Sequence, residues 1–469
     1  MAILEQTMSQ PTAEVPAVVI GASMAGLLAA RVLANHYRQV ILIERDDLPD
    51  APSPRNGVPQ ARHAHLLLIR GRQILDQLFP GLVDALIAEG AFALDIGMDF
   101  QAFLAAGWTP RIATGLVTIS CSRDLLETRL RQRLATLPTI QFLEKSDAIG
   151  LVIDKEQNRV THVRVRSREA SHDLRELPAQ LIVDASGRSS HSSEWLTALG
   201  YPVPPETTVN AFLGYASRIY AAPTPPLSNW KALVVQARAP SPGRGGVILP
   251  LEGNRWIVTL AGYGRNYPPT HEEGFLEFAS SLPVPDLYEA IRHAEPLSPI
   301  SGYQRTENHW RHFEQLANLP ENLFFIGDSV CAFNPVYGQG MTNAAMSALT
   351  LDQALRTKDG GSSYPFQKQL AKQNETPWLL ATTEDYRYPT TQGPKLGLST
   401  RLAHWYLKQL IETLTDEPEV FLTFLEVLHL VRPPSVLGSA PIVAKVMRHS
   451  LFHRTPAHAP VAAAAGGDS

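Results

Sequence analysis

The stretch from Ala17 to Arg45 constrains this chain more than any other. An apolar segment (Ala17–Ile20) leads through a turn of small residues into an apolar helical segment, then into a second apolar segment ending in an acid. The turn, Gly21-Ala22-Ser23-Met24-Ala25-Gly26, is a dinucleotide fingerprint with Ser23 in place of the middle glycine. Such a turn aims backbone N–H groups and a helix N-terminus at a pyrophosphate, and Gly26 lets the helix lie close against the strand. Glu44 ends the second strand at about the 20-residue offset where an acid grips a ribose hydroxyl. The competing reading is a plain strand–turn–helix whose small residues serve packing alone. Two strands, the helix and the acid together favour a bound dinucleotide, and by itself the stretch fits NAD and FAD almost equally.

Composition matters for what it excludes. A chain of 469 residues suits two or three domains. The net charge of −4 argues against a nucleic-acid partner. The two cysteines, Cys121 and Cys331, stand far apart. That excludes a disulfide framework and the redox-active pair of dithiol-relay flavoenzymes, and it fits a reducing, cytoplasmic compartment. The first residues carry an acid and no basic run, unlike a signal peptide. The most apolar window is broken by glycine and stops at Arg31, so no transmembrane segment is expected.

After Glu44 a loop rich in proline, aspartate and arginine carries Arg55 and the pair His63 and His65. No third ligand follows at metal spacing, so these read as hydrogen-bonding loop histidines and no metal site is expected. Residues 91–120 alternate as short strands. Ser122 is placed to cap a helix with Leu126, Leu130, Leu134 and Leu137 on one face. Arg129, Arg131 and Arg133 read as a solvated face, whereas Arg123, at the helix start, could reach a phosphate. Strands follow at 148–154, 159–166 and 180–184, the last running into Asp184-Ala185-Ser186-Gly187, a second candidate ribose or phosphate site. Longer alternating runs over 209–260 indicate an antiparallel sheet with a hairpin turn at Gly253-Asn254. The clusters Gly243–Gly246 and Gly262–Gly264 read as turns, and no second Rossmann unit offers itself to a nicotinamide cofactor.

The chain then returns to its first theme. A buried strand, Leu323–Ile326, runs into Gly327-Asp328, an Asn334-Pro335 loop and a helix starting at Gly338-Gln339-Gly340-Met341. Gly338 and Gly340 permit close backbone approach to a flat ligand. The helix N-terminus puts partial positive charge where a reduced flavin is negative. Asp328 could accept hydrogen bonds from ribityl or ribose hydroxyls.

Taken in this order, the fingerprint turn, the Asp-Ala-Ser-Gly segment and the Gly-Asp…Asn-Pro…Gly-Gln-Gly-Met loop resemble the single-component FAD monooxygenases of the p-hydroxybenzoate hydroxylase fold. GASMAG, ERD, PRNGVPQARHAHLL, VDASGRSS and FIGDSVCAFNPVYGQGM are most similar to the bacterial polyether-antibiotic epoxidases, with squalene epoxidases more distant. The likeness spans roughly residues 15–385. It implies an α/β (α+β) fold, a Rossmann-like FAD domain with an inserted antiparallel-sheet substrate domain and a C-terminal helical region. The expected boundaries are 1–200 for the first part of the FAD domain, with a β-rich insertion near 90–120, and 201–315 for the substrate domain. The second part of the FAD domain takes 316–388, the helices 389–455, and a disordered tail 456–469.

By the same resemblance Gly21, Ser23, Met24, Ala25, Gly26, Glu44 and Arg45 hold the ADP half of FAD. Arg55 and Arg123 reach the pyrophosphate or flavin side, with Asp184 at the second turn. Gly327, Asp328, Pro335, Gly338, Gln339, Gly340 and Met341 line the ribityl and isoalloxazine. His191 stands where the Asp-Gly segment often continues to an arginine, a departure that weakens any nicotinamide site there. The implied activity inserts one oxygen atom from O2 through a flavin hydroperoxide, with NADPH, NADH or a separate flavin reductase as transient electron source. The flavin carries the chemistry, so no catalytic side chain is expected, and no G-x-S-x-G or H-E-x-x-H occurs. The expected substrate is an apolar polyene, polyketide or isoprenoid epoxidised at C=C bonds. A phenol hydroxylase and an FAD-dependent reductase or dehydrogenase of prenyl-type substrates are the alternatives, while the missing W-x-W-x-I-P disfavours a halogenase. Phe212, Tyr215, Trp230 and Tyr337 are the candidate pocket walls. The apolar segment VFLTFLEVLHLV reads as packing, with a route for a long hydrophobic substrate as the lesser alternative.

Overall fold

The computed structural model describes residues 15–169, 173–226, 228–357 and 361–452. The expected tail at 456–469 and the first 14 residues lie outside them. A five-stranded parallel sheet runs, in spatial order, Leu323–Phe325, Leu181–Asp184, Ala17–Ile20, Val40–Ile43 and Ile140–Leu143. The three central strands are runs of mainly Val, Ile and Leu without alternation, buried throughout, as parallel strands covered on both faces must be. Residues Ala17–Ile20 are at most 5% exposed. Helices Met24–Leu33, Arg123–Ala135 and Gln339–Leu355 belong to this layer. Ser122 caps the second of them by accepting from Leu125 N at 3.1 Å, as its position predicted.

The second layer is a seven-stranded sheet: Ser301–Tyr303, Gly214–Ala221, Arg255–Gly262, Arg244–Leu251, Ala232–Val235, Phe100–Leu104 and Gly107–Trp108. Its central hairpin turns through Glu252, Gly253 and Asn254, the last two at positive φ (72° and 53°), the left-handed region that glycine and asparagine adopt most readily. Two expectations change here. The β-rich insertion does not stay with the first layer, because Phe100–Leu104 pairs in parallel with Ala232–Val235 and widens the second sheet. Nor are Gly245 and Gly246 turn residues. They lie inside a strand, where a Cβ on Gly245 would stand 2.6 Å from the Val235 carbonyl oxygen.

Helices Glu272–Ser280 and Asp286–Ile291 pack on one face of this sheet. On its other face sit Leu398–Thr413, Pro418–Leu428 and Ala440–Phe452. The third of these closes a core of Leu410, Val420, Val427 and Val446, all fully buried. Burying each such side chain stabilises the cap by roughly 1.5–3 kcal/mol before ordering costs.

Candidate active site

The fingerprint turn folds as it does because only glycine fits twice. Gly21 sits at φ +98°, and a Cβ there would meet the Ala185 carbonyl oxygen at 2.7 Å. A Cβ on Gly26 would come within 1.8 Å of the Gly21 oxygen, so the helix could not approach its own turn. Glu44 braces the turn from behind: its Oε2 accepts from Ala22 N at 2.8 Å and its Oε1 from Asp46 N at 3.0 Å. Ser23 stands at the N-cap of Met24–Leu33 yet does not cap it. Its hydroxyl donates instead to Glu127 Oε1 at 2.6 Å.

Glu127 is the residue that sequence reasoning missed. Its carboxylate, 3% exposed, takes Arg55 Nη2 at 2.7 Å on one oxygen and Arg123 Nη2 at 2.6 Å on the other. Arg123 also donates to Ser23 Oγ at 3.1 Å. Arg55 Nη1 lies 3.4 Å from Glu44 and 3.7 Å from Asp46, with no hydrogen bond of its own. Burial opposes ionisation of Glu127, but the guanidinium groups of Arg123 and Arg55 outweigh it and hold the carboxyl down at about 2. The one available signal was spacing: Arg123 and Glu127 are four residues apart on a helix whose leucines face elsewhere. Arg131, expected on a solvated face, is buried too and donates to the Pro49 carbonyl at 2.7 Å.

The second turn presents backbone rather than its acid. Asp184 is fully buried and accepts from Ser186 N, Ser186 Oγ and Ser190 Oγ at 2.9, 2.6 and 2.5 Å. Ala185–Ser189, held in place by those bonds, line the rim of a cavity. Arg188 on that rim donates to the carbonyls of Glu307 and Phe333 and lies 4.0 Å from Asp328. The loop before Gly338 is clamped from below by Asp385, whose oxygens accept from Asn334 Nδ2 at 2.7 Å and Asn308 Nδ2 at 2.6 Å. Burial, with Glu384 adjacent, pushes the Asp385 carboxyl up to about 8.

All of this opens on one cavity of about 800 Å³. Ser23, Met24, Ala25, Arg45 and Arg123 line its fingerprint end, and Asp328, Pro335, Gly338, Gly340 and Met341 its flavin-loop end. Beyond them the floor is one face of the seven-stranded sheet, read off at every second residue: Phe100, Ala102 and Leu104, then Gly245, Val247 and Leu249, then Thr259 and Ala261. Leu407, Ile411, Leu414, Phe421, Phe424, Leu425 and Leu428 form the opposite wall. The apolar C-terminal segment therefore packs and lines the chamber at once.

The remaining expected residues fall into two groups. Gly21, Gly26, Glu44, Arg55, Asp184, Gly327 and Gln339 stand behind the wall and shape it. The Gln339 side chain is fully buried with neither amide atom paired. Of the aromatic candidates, Tyr215 and Tyr337 are on the wall. Phe212 and Trp230 are not. Phe212 lies under the Arg265 guanidinium, 3.8 Å from ring centre, and Trp230 stacks on Trp256 at 5.7 Å in the core on the far side of the sheet. His63 bonds Ser217 Oγ at 2.8 Å and His65 the His63 carbonyl at 2.8 Å. Burial pushes their ring nitrogens down to about 3 and about 4, so both are neutral. No metal-binding cluster occurs among the described residues.

Residues 14–362 match the sequence model of the FAD binding domain. The chain belongs to that family. It is 31% identical over 448 residues to Protein Rv3254 of Mycobacterium tuberculosis, covering 93% of this chain and 94% of that one. In fold it is similar to the flavin-dependent brominase Bmp2 (TM-score 0.66, 13% identity, 94% of this chain and 99% of that chain). It is likewise similar to pqsL, a probable FAD-dependent monooxygenase from Pseudomonas aeruginosa (TM-score 0.56, 15% identity, 87% and 99%).

The geometry suits the cofactor of this FAD-binding family. Two helix N-termini, those of Met24–Leu33 and Gln339–Leu355, open on the same cavity and neither is capped by a side chain. Uncapped N–H groups and the helix dipole are complementary to a pyrophosphate at the first and to the electron-rich edge of a reduced flavin at the second. At Gly340 a Cβ would meet nothing nearer than Asp328 Oδ1 at 4.0 Å, which leaves bare backbone facing the cavity. Arg123 lines the cavity there, while Arg55 stands behind it, and both guanidinium groups are paired with Glu127. FAD is the cofactor of this flavoprotein.

Proposed function

We propose that this protein is an FAD-dependent monooxygenase that transfers one oxygen atom from O2 to an apolar substrate, forming an epoxide at a C=C bond of a polyene, polyketide or isoprenoid chain. The observation that carries the reading is the continuity of the cavity. Its flavin-loop end, at Asp328, Pro335, Gly338 and Gly340, runs without a partition into the chamber between sheet and C-terminal helices. The chamber walls are dominated by Leu, Val, Ile, Phe and Ala side chains, which suits a long apolar molecule and excludes water from the reacting end.

FAD, when bound, supplies the redox chemistry, reduced by a nicotinamide and then reactive toward O2. The chain's own groups position and insulate. Gly338 and Gly340 would let backbone approach the ring, the N-terminus of the Gln339–Leu355 helix would stabilise negative charge there, and Asp385 holds the Asn334–Pro335 loop in register through Asn334. Ala102, Ala261 and Gly245 keep the floor low enough for a substrate. No side chain is required as general acid or base. NADPH or NADH serves as transient donor, with a separate flavin reductase as the other source of electrons, and the cytoplasm as the compartment.

The test is aerobic turnover with a panel of polyenes. The expected result is NADPH consumption that depends on oxygen and yields a product heavier by one oxygen atom. Turnover under strict anaerobiosis would instead mark a reductase or dehydrogenase. A phenolic product from an aromatic panel would mark a ring hydroxylase.

A further inference from the structure

The helix Leu398–Thr413 is apolar on two opposite faces. Leu407 and Ile411, with Leu414 just past its end, line the cavity. On the reverse side Leu398, Leu402 and Trp405 form a stripe at helical spacing, 75%, 59% and 49% exposed. Large apolar side chains standing singly on a surface call for no explanation, but three in one stripe on one helix do.

The charge alongside the stripe is mainly basic, with Glu412 the acid in line with it at its C-terminal end. Lys395, Arg401 and Lys408 are exposed, and no Asp or Glu occurs between Asp385 and Glu412. Lys408 alone has a nearby acid, Glu412 at 3.9 Å. An apolar face with a tryptophan at its edge and lysine or arginine alongside matches a helix that lies in the plane of an anionic lipid surface. No described helix is long and apolar enough to cross a membrane, so such contact is peripheral. A second copy of the chain fits the face poorly. Three side chains supply little of the roughly 800 Å² per partner in a standard interface, and copies meeting here would bring their lysines and arginines together.

We propose that the outer face of Leu398–Thr413 docks on an anionic membrane surface. A lipid-soluble substrate then leaves the bilayer one helix away from the chamber that receives it. The docking does not depend on which reaction the chamber carries out, so it stands or falls separately from the epoxidase reading.

The experiment is flotation of the full flavin-loaded chain with vesicles. Phosphatidylcholine mixed with phosphatidylglycerol is compared with phosphatidylcholine alone, at low and at high salt. The expected result is binding to the anionic vesicles that falls in high salt and is at least tenfold weaker on neutral ones. The triple variant L398E/L402E/W405E should lose binding at least tenfold while its bound-flavin absorbance spectrum stays that of the parent. Substituting Lys395, Arg401 and Lys408 by Gln should weaken binding without touching the apolar stripe. Absence of flotation with anionic vesicles overturns the proposal, as does undiminished flotation of the triple variant. A concentration-dependent dimer abolished by the triple variant, without lipid binding, also overturns it and assigns the face to a second copy.

Discussion

The two ends of the cavity rest on different physics. At the fingerprint end the charges are already paired before any ligand is considered: Glu44 holds a backbone N–H, and Glu127 holds Ser23, Arg55 and Arg123. At the cap end the wall has few polar ties, chiefly Thr259, bonded to Ala64 N and Ser217 Oγ, and His429, which accepts from Ile69 N. Its shape comes from small residues on a sheet facing large ones on helices, with contacts that are individually weak and non-directional. The first end specifies one partner tightly. The second admits a class of partners by volume and apolarity, so cofactor identity is fixed more sharply here than substrate identity.

The sharpest way to break the fingerprint end is to place a side chain where none fits. Gly26→Val would drive carbon into the Gly21 carbonyl. We expect a loss of more than about 3 kcal/mol of stability and a protein that purifies without flavin. Thermal melting and the visible flavin spectrum measure both. A stable, yellow variant would mean the turn relaxes more readily than the geometry allows.

Glu127→Ala comes next. It removes the carboxylate that two buried guanidinium groups share, leaving Arg55 only the longer contacts to Glu44 and Asp46 and Arg123 no acid, and breaking a buried pair of this kind costs about 3–5 kcal/mol. We expect the loss to be larger without FAD than with it, because a pyrophosphate restores a counter-charge. Equal losses in the two states would show that the arginines do not face the cofactor. Glu127→Gln tests the pH side. The folded carboxyl sits at about 2 against an ordinary 4.5, so its stabilisation is fully present above about 4.5 and is lost as pH falls toward about 2. The variant should show a flatter acid-unfolding profile in that window.

The difference between the ends also explains what was legible in the sequence. Gly21 and Gly26 could be read because a tight turn leaves few residue types that serve, whereas Glu44, expected to grip a ribose, instead holds the backbone N–H groups of Ala22 and Asp46. Glu127 could not, since its importance comes from Arg55 and Ser23, 72 and 104 residues away, rather than from its neighbours. Asp184, read as a candidate ribose or phosphate contact, is buried and holds its own loop, because sequence does not say which way an acid at a strand end turns. The chamber was least legible. Its floor draws on residues 100–104, 234–249 and 259–261 and its wall on 407–428, and any of these apolar runs could equally have been closed core.

At the cap end the corresponding test is to fill space. Ala102→Phe projects a ring from the sheet into the chamber and should leave FAD bound, with stability changed by less than about 1 kcal/mol. Turnover of a long apolar substrate should fall by roughly tenfold or more, mostly through KM, since the lost volume removes binding rather than chemistry. A matching drop in flavin occupancy would show that the two ends are not separable.

The smallest effect on activity is expected at Trp230, and that is its use. Aromatic size and position in the second sheet made it a candidate wall, yet it stacks on Trp256 at 5.7 Å on the face turned away from the chamber. Trp230→Ala should therefore lower stability by about 1–3 kcal/mol through lost stacking and burial, while KM and kcat stay within twofold at temperatures below the melt. Comparing it with Ala102→Phe separates chamber from scaffold: one variant impairs turnover in a stable protein, the other weakens the protein and spares turnover. A KM that rises in both would mean the sheet transmits strain from its far face, and the chamber's shape would then depend on the whole sheet rather than on the residues lining it.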